Sequence, residues 1–215
     1  MADSLVLELA GETVELLGER ALYRPGRRAL LIADLHLGKA DVFRRAGIGL
    51  PAGGTGHDLE RLDALLSARA VDTLWVLGDL LHGPAPRAAW HRRWCAWRER
   101  HAPLRIVAIR GNHDRALRGA GLAIEAVGEQ VEDGHFLLRH DPSPHPRLHV
   151  LCGHLHPLAE LPRMTRRWPA FWLRERVTVL PAFSYFTAGV VPAAQRGERL
   201  VACVEGAAIA LPAVP

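Results

Sequence analysis

The chain has 215 residues, 49% apolar and 23% charged, which suits one domain spanning residues 1–215 with its own core and excludes a disordered segment. Cys95, Cys152 and Cys203 are far apart and lack Cys-x-x-Cys spacing, so a disulfide framework and a zinc ribbon are excluded and reduced thiols in a cytoplasmic protein are expected. A net charge of +4 with pI near 9.5 favours a polyanionic partner only mildly, and Lys39 is the sole lysine among many arginines.

The first eight residues carry neither the basic start nor the long apolar stretch of a signal peptide, and no run is long enough to span a bilayer, so no membrane partner is expected. Residues 5–23 alternate apolar and polar around Gly11-Glu12, predicting an edge hairpin, and Arg24-Pro25-Gly26-Arg27 predicts a turn. The run from Leu30 reads as a buried strand whose polar residues, Asp34 and His36, arrive at its carboxyl end. Two apart on an extended chain, they point to one side and can grip one cation.

Residues 40–46 predict a short helix and residues 47–56 a loop near the crevice; Arg44 and Arg45 either face solvent or meet a phosphate backbone. Leu59, Leu62, Leu65 and Leu66 place a crossover helix over residues 57–70. A second buried strand, from Thr73, ends in Gly78-Asp79, with His82 just beyond in a loop through Pro84. In the helix predicted over residues 87–100, Trp90, Trp94 and Trp97 form a stripe that should pack on the sheet, leaving Arg92, Arg93, Arg98 and Arg100 in water.

A third strand, from Arg105, ends in Arg110-Gly111-Asn112-His113-Asp114, and residues 122–132 predict a short strand and turn. Residues 135–140 and 148–156 repeat the plan, ending in His140 and in Gly153-His154-Leu155-His156; the proline-rich residues 141–146 between them read as a loop. Residues 163–168, with Arg163, Arg166, Arg167 and Trp168, read as a solvated basic loop or a lip of the site. Residues 171–173, 177–180 and 200–204 predict antiparallel strands of a second sheet. Carboxylate, imidazole and amide donors without thiolate point to manganese, iron or zinc.

Asp-x-His, Gly-Asp, Gly-Asn-His-Asp, a lone His and Gly-His-x-His, in that order from Asp34 to His156, resemble the signature of the calcineurin-like metallophosphoesterases. Asp34 to Lys39 with Phe43-Arg44-Arg45-Ala46-Gly47, Gly153 to Pro157 and Leu180-Pro181-Ala182-Phe183 look like the bacterial ligase-associated DNA-damage-response endonuclease branch. The resemblance implies a layered αββα sandwich, an α/β fold of two mixed sheets flanked by helices. It also implies two divalent cations, manganese foremost, with Asp79 as the shared ligand. Asp34, His36 and His156 would complete one metal, and Asn112, His140 and His154 the other. A metal-bridging hydroxide would attack phosphorus, His113 would protonate the leaving alkoxide, and Asp114 would orient His113. Arg110, His82 and Lys39 are candidates for holding phosphate oxygens.

His140 is followed by Asp141 where many relatives have glycine, which leaves His135, His145 and His149 as rivals. The expected substrate is DNA, in functional association with a DNA ligase and a helicase, and a homodimer suits the branch. A small-molecule nucleotide or pyrophosphate hydrolase is the alternative enzyme, and a scaffold without metal chemistry the non-enzymatic one. A lipid-A-precursor hydrolase would need an apolar insertion that the sequence lacks, and a scaffold would have lost ligands that are present here.

Overall fold

A computed structural model describes residues 4–49, 54–82 and 89–214, the side chains of Arg45 and Arg118 excepted. Its framework is set by three runs too apolar to face water on either side. Strands β4 (Ala29–Ile32), β5 (Thr73–Leu77) and β6 (Arg105–Ile109) are buried along nearly their whole length and pair in parallel, as continuous apolar runs do when both faces are covered. Strands β1 (Ser4–Leu9), β2 (Glu12–Leu17) and β3 (Ala21–Arg24) extend this sheet antiparallel on one side, with the predicted hairpin at its edge. The two-residue strand β7 (Glu125–Ala126) closes the other side.

The second sheet is also mixed. Strands β8 (Gln130–Asp133), β9 (Phe136–Arg139), β10 (His149–Cys152), β11 (Leu158–Glu160), β12 (Arg167–Leu173), β13 (Val177–Val179), β14 (Arg199–Val204) and β15 (Ala207–Ala210) build it. Its order is β15-β14-β12-β13-β10-β9-β8, with β11 paired to β12. Only β9, β10 and β13 run parallel to one another. The strand predicted over residues 171–173 begins earlier, so Arg167 and Trp168 belong to β12 and not to a basic loop. Arg167 donates across to Glu160 of β11, and Arg166 lies over the Trp168 ring.

Side chains alternate between two apolar layers. Leu31, Trp75, Leu77, Val107 and Ile109 meet Phe136, Leu138, Leu151, Phe171 and Val201 between the sheets. Leu30, Ile32, Val76 and Ala108 point outward beneath the helices.

Helices α1 (Lys39–Arg45), α2 (Gly54–Ala68) and α3 (Ala89–Arg100) are the α-helices of the described residues. Leu59, Leu62 and Leu65 of α2 and Trp90, Trp94 and Trp97 of α3 bury into the layer over the first sheet, as their spacing predicts. The Trp94 indole donates to the Leu122 carbonyl at 2.9 Å and that of Trp97 to Asp63 at 2.6 Å. Arg98, expected in water, instead donates to the carbonyls of His101, Ala102 and Ala123. The predicted 47–56 loop gives way to helix at Gly54. Residues 50–53, 83, 84, 87 and 88, which fall within predicted loop and helix segments, lie outside the described residues.

No helix of the described residues is long and apolar enough to cross a membrane.

Candidate metal centre

The carboxyl ends of β4, β5, β6, β9 and β10 open on one rim, and the polar residues foreseen there converge. Ligand atoms of Asp34, His36 and His156 lie within 4.8 Å of one another, as do those of Asp34, Asp79 and His140. Asp34 therefore belongs to both triads. Its Oδ1 is 3.2 Å from His156 Nε2 and 3.9 Å from His140 Nδ1. Asp79 sits across from it, with Oδ2 3.5 Å from His140 Nε2 and 3.9 Å from His113 Nε2. His154 Nδ1 approaches His140 Nε2 to 3.1 Å, and Asn112 lines a cavity of about 250 Å³ with Arg110, His140, Asp141 and His154.

How the chain presents Asp34 and His36 differs from expectation. The strand stops at Ile32, and both residues adopt the left-handed conformation, with φ of 55° and 49°, so alternation along an extended chain is not what aligns them. Asp79, His154 and His156 share that conformation, with φ of 49°, 73° and 48°. Each such residue costs about 1–2 kcal/mol, and a set of them at one rim survives only where surrounding bonds over-determine it. Those bonds are present: the amides of Asp34, His36 and Leu37 donate to the carbonyls of Gly78, Asp79 and Leu80. Phe183 and Ser184 donate to the carbonyls of Ala33 and Asp34, and the His154 amide donates to Asp34 Oδ2 at 3.0 Å.

Glycines make room for the ligands. A Cβ at Gly111 would stand 2.3 Å from Asp79 Oδ1, at Gly153 2.5 Å from Asp34 Oδ2, and at Gly78 2.4 Å from His140 Nδ1.

The donor set fits a cation. Asp34 Oδ1, both ring nitrogens of His36 and His156 Nε2 are buried without a hydrogen-bond partner among the described residues, an arrangement that is costly unless something positively charged completes it. His156 Nδ1 donates to the Ala188 carbonyl at 3.0 Å, which leaves its Nε2 lone pair facing the centre, and His140 Nδ1 donates to the Leu77 carbonyl at 3.0 Å, which turns its Nε2 toward Asp79. Burial pushes the His36 imidazole well below its usual range, so it stays neutral and able to ligate. Burial opposes charge on Asp79, yet bonds from His140 and the His113 amide hold its carboxyl below the usual range.

The rivals of His140 lie elsewhere. His149 bonds Thr178 at 2.9 Å, His145 accepts from the Leu148 amide at 3.1 Å, and His135 is exposed on the turn before β9.

His113 and Asn112 diverge, although not on an extended loop: His113 has helical dihedrals and heads a 3-10 turn over Asp114–Gly119 that sequence reasoning missed. Its ring packs against His82 at 5.1 Å and His36 at 5.6 Å. Asp114 does not orient it. The Asp114 carboxylate is buried and accepts the amides of Leu80, Leu81 and Gly111, so it ties two ligand loops together and reaches no reacting group. Burial raises its pKa despite those amides.

His82 lies beneath the Phe43 ring at 6.1 Å with Nδ1 unpaired among the described residues, and burial together with Lys39 lowers its pKa. Lys39 is half-buried, its ammonium donating to Thr187 at 3.2 Å, and burial lowers its pKa against the pull of Asp34 and Asp79. Arg110 is on the rim but is ion-paired with Glu129, and Arg44 pairs with Asp41 at 2.8 Å. The Arg45 side chain lies outside the described residues. Thr187 and the Ala188 carbonyl were missed, because contacts made through a main chain or one hydroxyl leave no pattern in the sequence.

Two mixed sheets with helices against them and a rim of Asp, His and Asn define a metal-dependent hydrolase of phosphate esters. The profile of the calcineurin-like phosphoesterase family matches residues 27–189, and the chain belongs to that family. Among solved structures it is similar to Pseudomonas putida nuclease MPE, at 39% identity and a TM-score of 0.83, over 97% of this chain and 100% of that one. A protein of unknown function from Aquifex aeolicus is 20% identical over 60% of this chain and 78% of that one, with a TM-score of 0.43. A conserved uncharacterized protein, a predicted phosphoesterase, from Streptococcus pneumoniae TIGR4 is 13% identical over 85% of this chain and 95% of that one, with a TM-score of 0.36. A comparison with curated proteins finds no match.

Proposed function

We propose that the chain is a two-metal phosphodiesterase that cuts DNA internally, in the service of DNA repair. The observation that carries this reading is the pair of adjoining triads, Asp34-His36-His156 and Asp34-Asp79-His140, with buried acceptor atoms that nothing among the described residues satisfies. The nuclease among its relatives supports the choice of substrate. Asp34, His36 and His156 would hold one cation and Asn112, His140 and His154 the other, with Asp79 shared between them and Asp34, which also approaches His140, next to the second cation. Divalent cations at such a site act as Lewis acids toward phosphoryl oxygens and make water nucleophilic near neutral pH. Nitrogen and oxygen donors without thiolate suit manganese, with iron or zinc also compatible.

Around that pair the chain supplies three further services. His113, half-exposed beside Asp79, donates a proton to the departing oxygen. His82 and Lys39, on the same side as His113 and His36, attract the non-bridging oxygens of the phosphate. The backbone bonds from Phe183, Ser184 and His154 keep the ligand loops from relaxing.

The test is to strip the purified protein of metal, restore manganese, and compare supercoiled plasmid, a chromogenic phosphodiester and a phosphomonoester. Manganese-dependent nicking of plasmid and turnover of the diester are expected, both lost in Asp79→Asn with the fold retained. Turnover of the monoester alone would reject the nuclease reading, and undiminished turnover in Asp79→Asn would reject the shared ligand.

A further inference from the structure

A groove of about 860 Å³ separates α2 from α3, away from the ligand rim, and its lining includes His57, Arg93, Arg100, Tyr185 and Phe186. Tyr185 is 45% exposed, which is unusual for a ring so well held. His57 meets it edge-on at 5.1 Å, Phe186 at 5.3 Å, and the Arg20 guanidinium lies over it at 5.6 Å. Its amide is fixed by the buried Asp58 carboxylate at 3.2 Å. A rigid aromatic ring offered to solvent is a surface for stacking.

One stretch of chain links the groove to the metal centre. Two residues after Tyr185, Thr187 accepts from Lys39, and one further on the Ala188 carbonyl accepts from His156. Residues 185–188 thus cover at most about 11 Å, a span that a few nucleotides match.

The charge lining the groove is balanced, with Arg93 left to meet a phosphate. Arg93 is exposed and makes no ion pair among the described residues. The Asp63 carboxylate on the same wall is already engaged by Trp97, His101 and Arg100. Glu60 offsets one arginine, so charge alone binds weakly here and the rings carry the preference.

We propose that this groove seats the single-stranded nucleotides flanking the scissile phosphodiester, their bases stacked on Tyr185 and Phe186 and a phosphate against Arg93. This rests on the DNA reading above. Stacking requires an unpaired base, since a paired one hides its faces in the duplex. The groove therefore selects frayed, gapped or single-stranded DNA over closed duplex.

The test is fluorescence anisotropy with the full chain in EDTA and a labelled single-stranded oligonucleotide, across a range of salt, so that binding is read without cleavage. Tyr185→Leu should weaken binding about tenfold, while Tyr185→Phe restores it. Arg93→Ala should reduce the steepness of log K against log salt by about 0.7, the share of one single-strand phosphate, and Arg93→Lys should keep it. Leucine and alanine variants that bind like the wild type with the same slope would overturn the groove, as would equal binding of closed duplex. A protein that binds through Tyr185 and Arg93 but fails to cut with manganese overturns the nuclease reading alone. One that cuts while its groove variants bind unchanged overturns the groove alone.

Discussion

At the scale of single residues, two histidines show how position divides labour among chemically identical side chains. His113 stands half-exposed with its ring nitrogen 3.9 Å from Asp79, and the proposed mechanism has it protonate the departing oxygen from there. His113→Ala should lower turnover of DNA or an alkyl diester by about 10²–10⁴-fold and of a nitrophenyl diester far less, because an activated phenolate leaves without help. Equal loss across leaving groups in steady-state kinetics would argue against the acid role. His149, by contrast, is buried in β10 against Thr178, and burial alone lowers its pKa to about 4. Its unfolded counterpart takes up a proton near pH 6.5, so stability is fully present above that value and is lost as pH falls toward 4. The loss amounts to about 3 kcal/mol. Urea unfolding of His149→Gln should show a flatter dependence across that window than the wild type; identical slopes would contradict the assignment.

At the scale of elements, the strands and the loops they end in obey different rules. Apolar runs ending in Asp, His or Asn made β4, β5, β6, β9 and β10 legible in the sequence, and the indole stripe made α3 legible, because burial imposes a period on side chains. The short strands β11 and β15 and the 3-10 turn after His113 escaped notice, since three to six residues carry too few side chains to show a period. The left-handed turns at Asp34, His36 and Asp79 escaped it too, because non-glycine residues there are held by main-chain bonds to other loops. Asp114 was misread for the same reason: its three partners are backbone amides.

The glycines of those loops are where the geometry is most easily disturbed. A Cβ at Gly111 would press on both the Asp79 amide and its carboxylate at 2.3 Å. Gly111→Ala is expected to fold and yet bind manganese about 10- to 100-fold more weakly in calorimetric titration. Unchanged affinity would show that the Asp79 loop has room to shift.

For the molecule as a whole, one arginine joins the two sheets. Arg24, at the end of β3, is fully buried, gripping Glu12 of the first sheet at 2.7 Å and Asp133 of the second at 2.6 Å, with Phe136 under its guanidinium at 4.8 Å. Although burial works against its charge, the two carboxylates raise its pKa. Removing one partner of such a set strands the others, so Arg24→Met should lower unfolding stability by about 3 kcal/mol in urea titration. A loss within experimental scatter would mean that the apolar layer between the sheets suffices to hold them together. Nothing in local sequence announces this contact, because its members are 109 residues apart.

The hydrogen bond from the His154 amide to Asp34, with those from Phe183 and Ser184 to the same loop, has a consequence for how the protein is made. A ribosome releases Asp34, His36 and Asp79 long before the residues that brace and complete them. The half-made chain lacks His140, His154 and His156, and its Asp34 loop has nothing to press against. The full set of candidate ligands and the bonds that brace them therefore come together only when synthesis has passed Ser184.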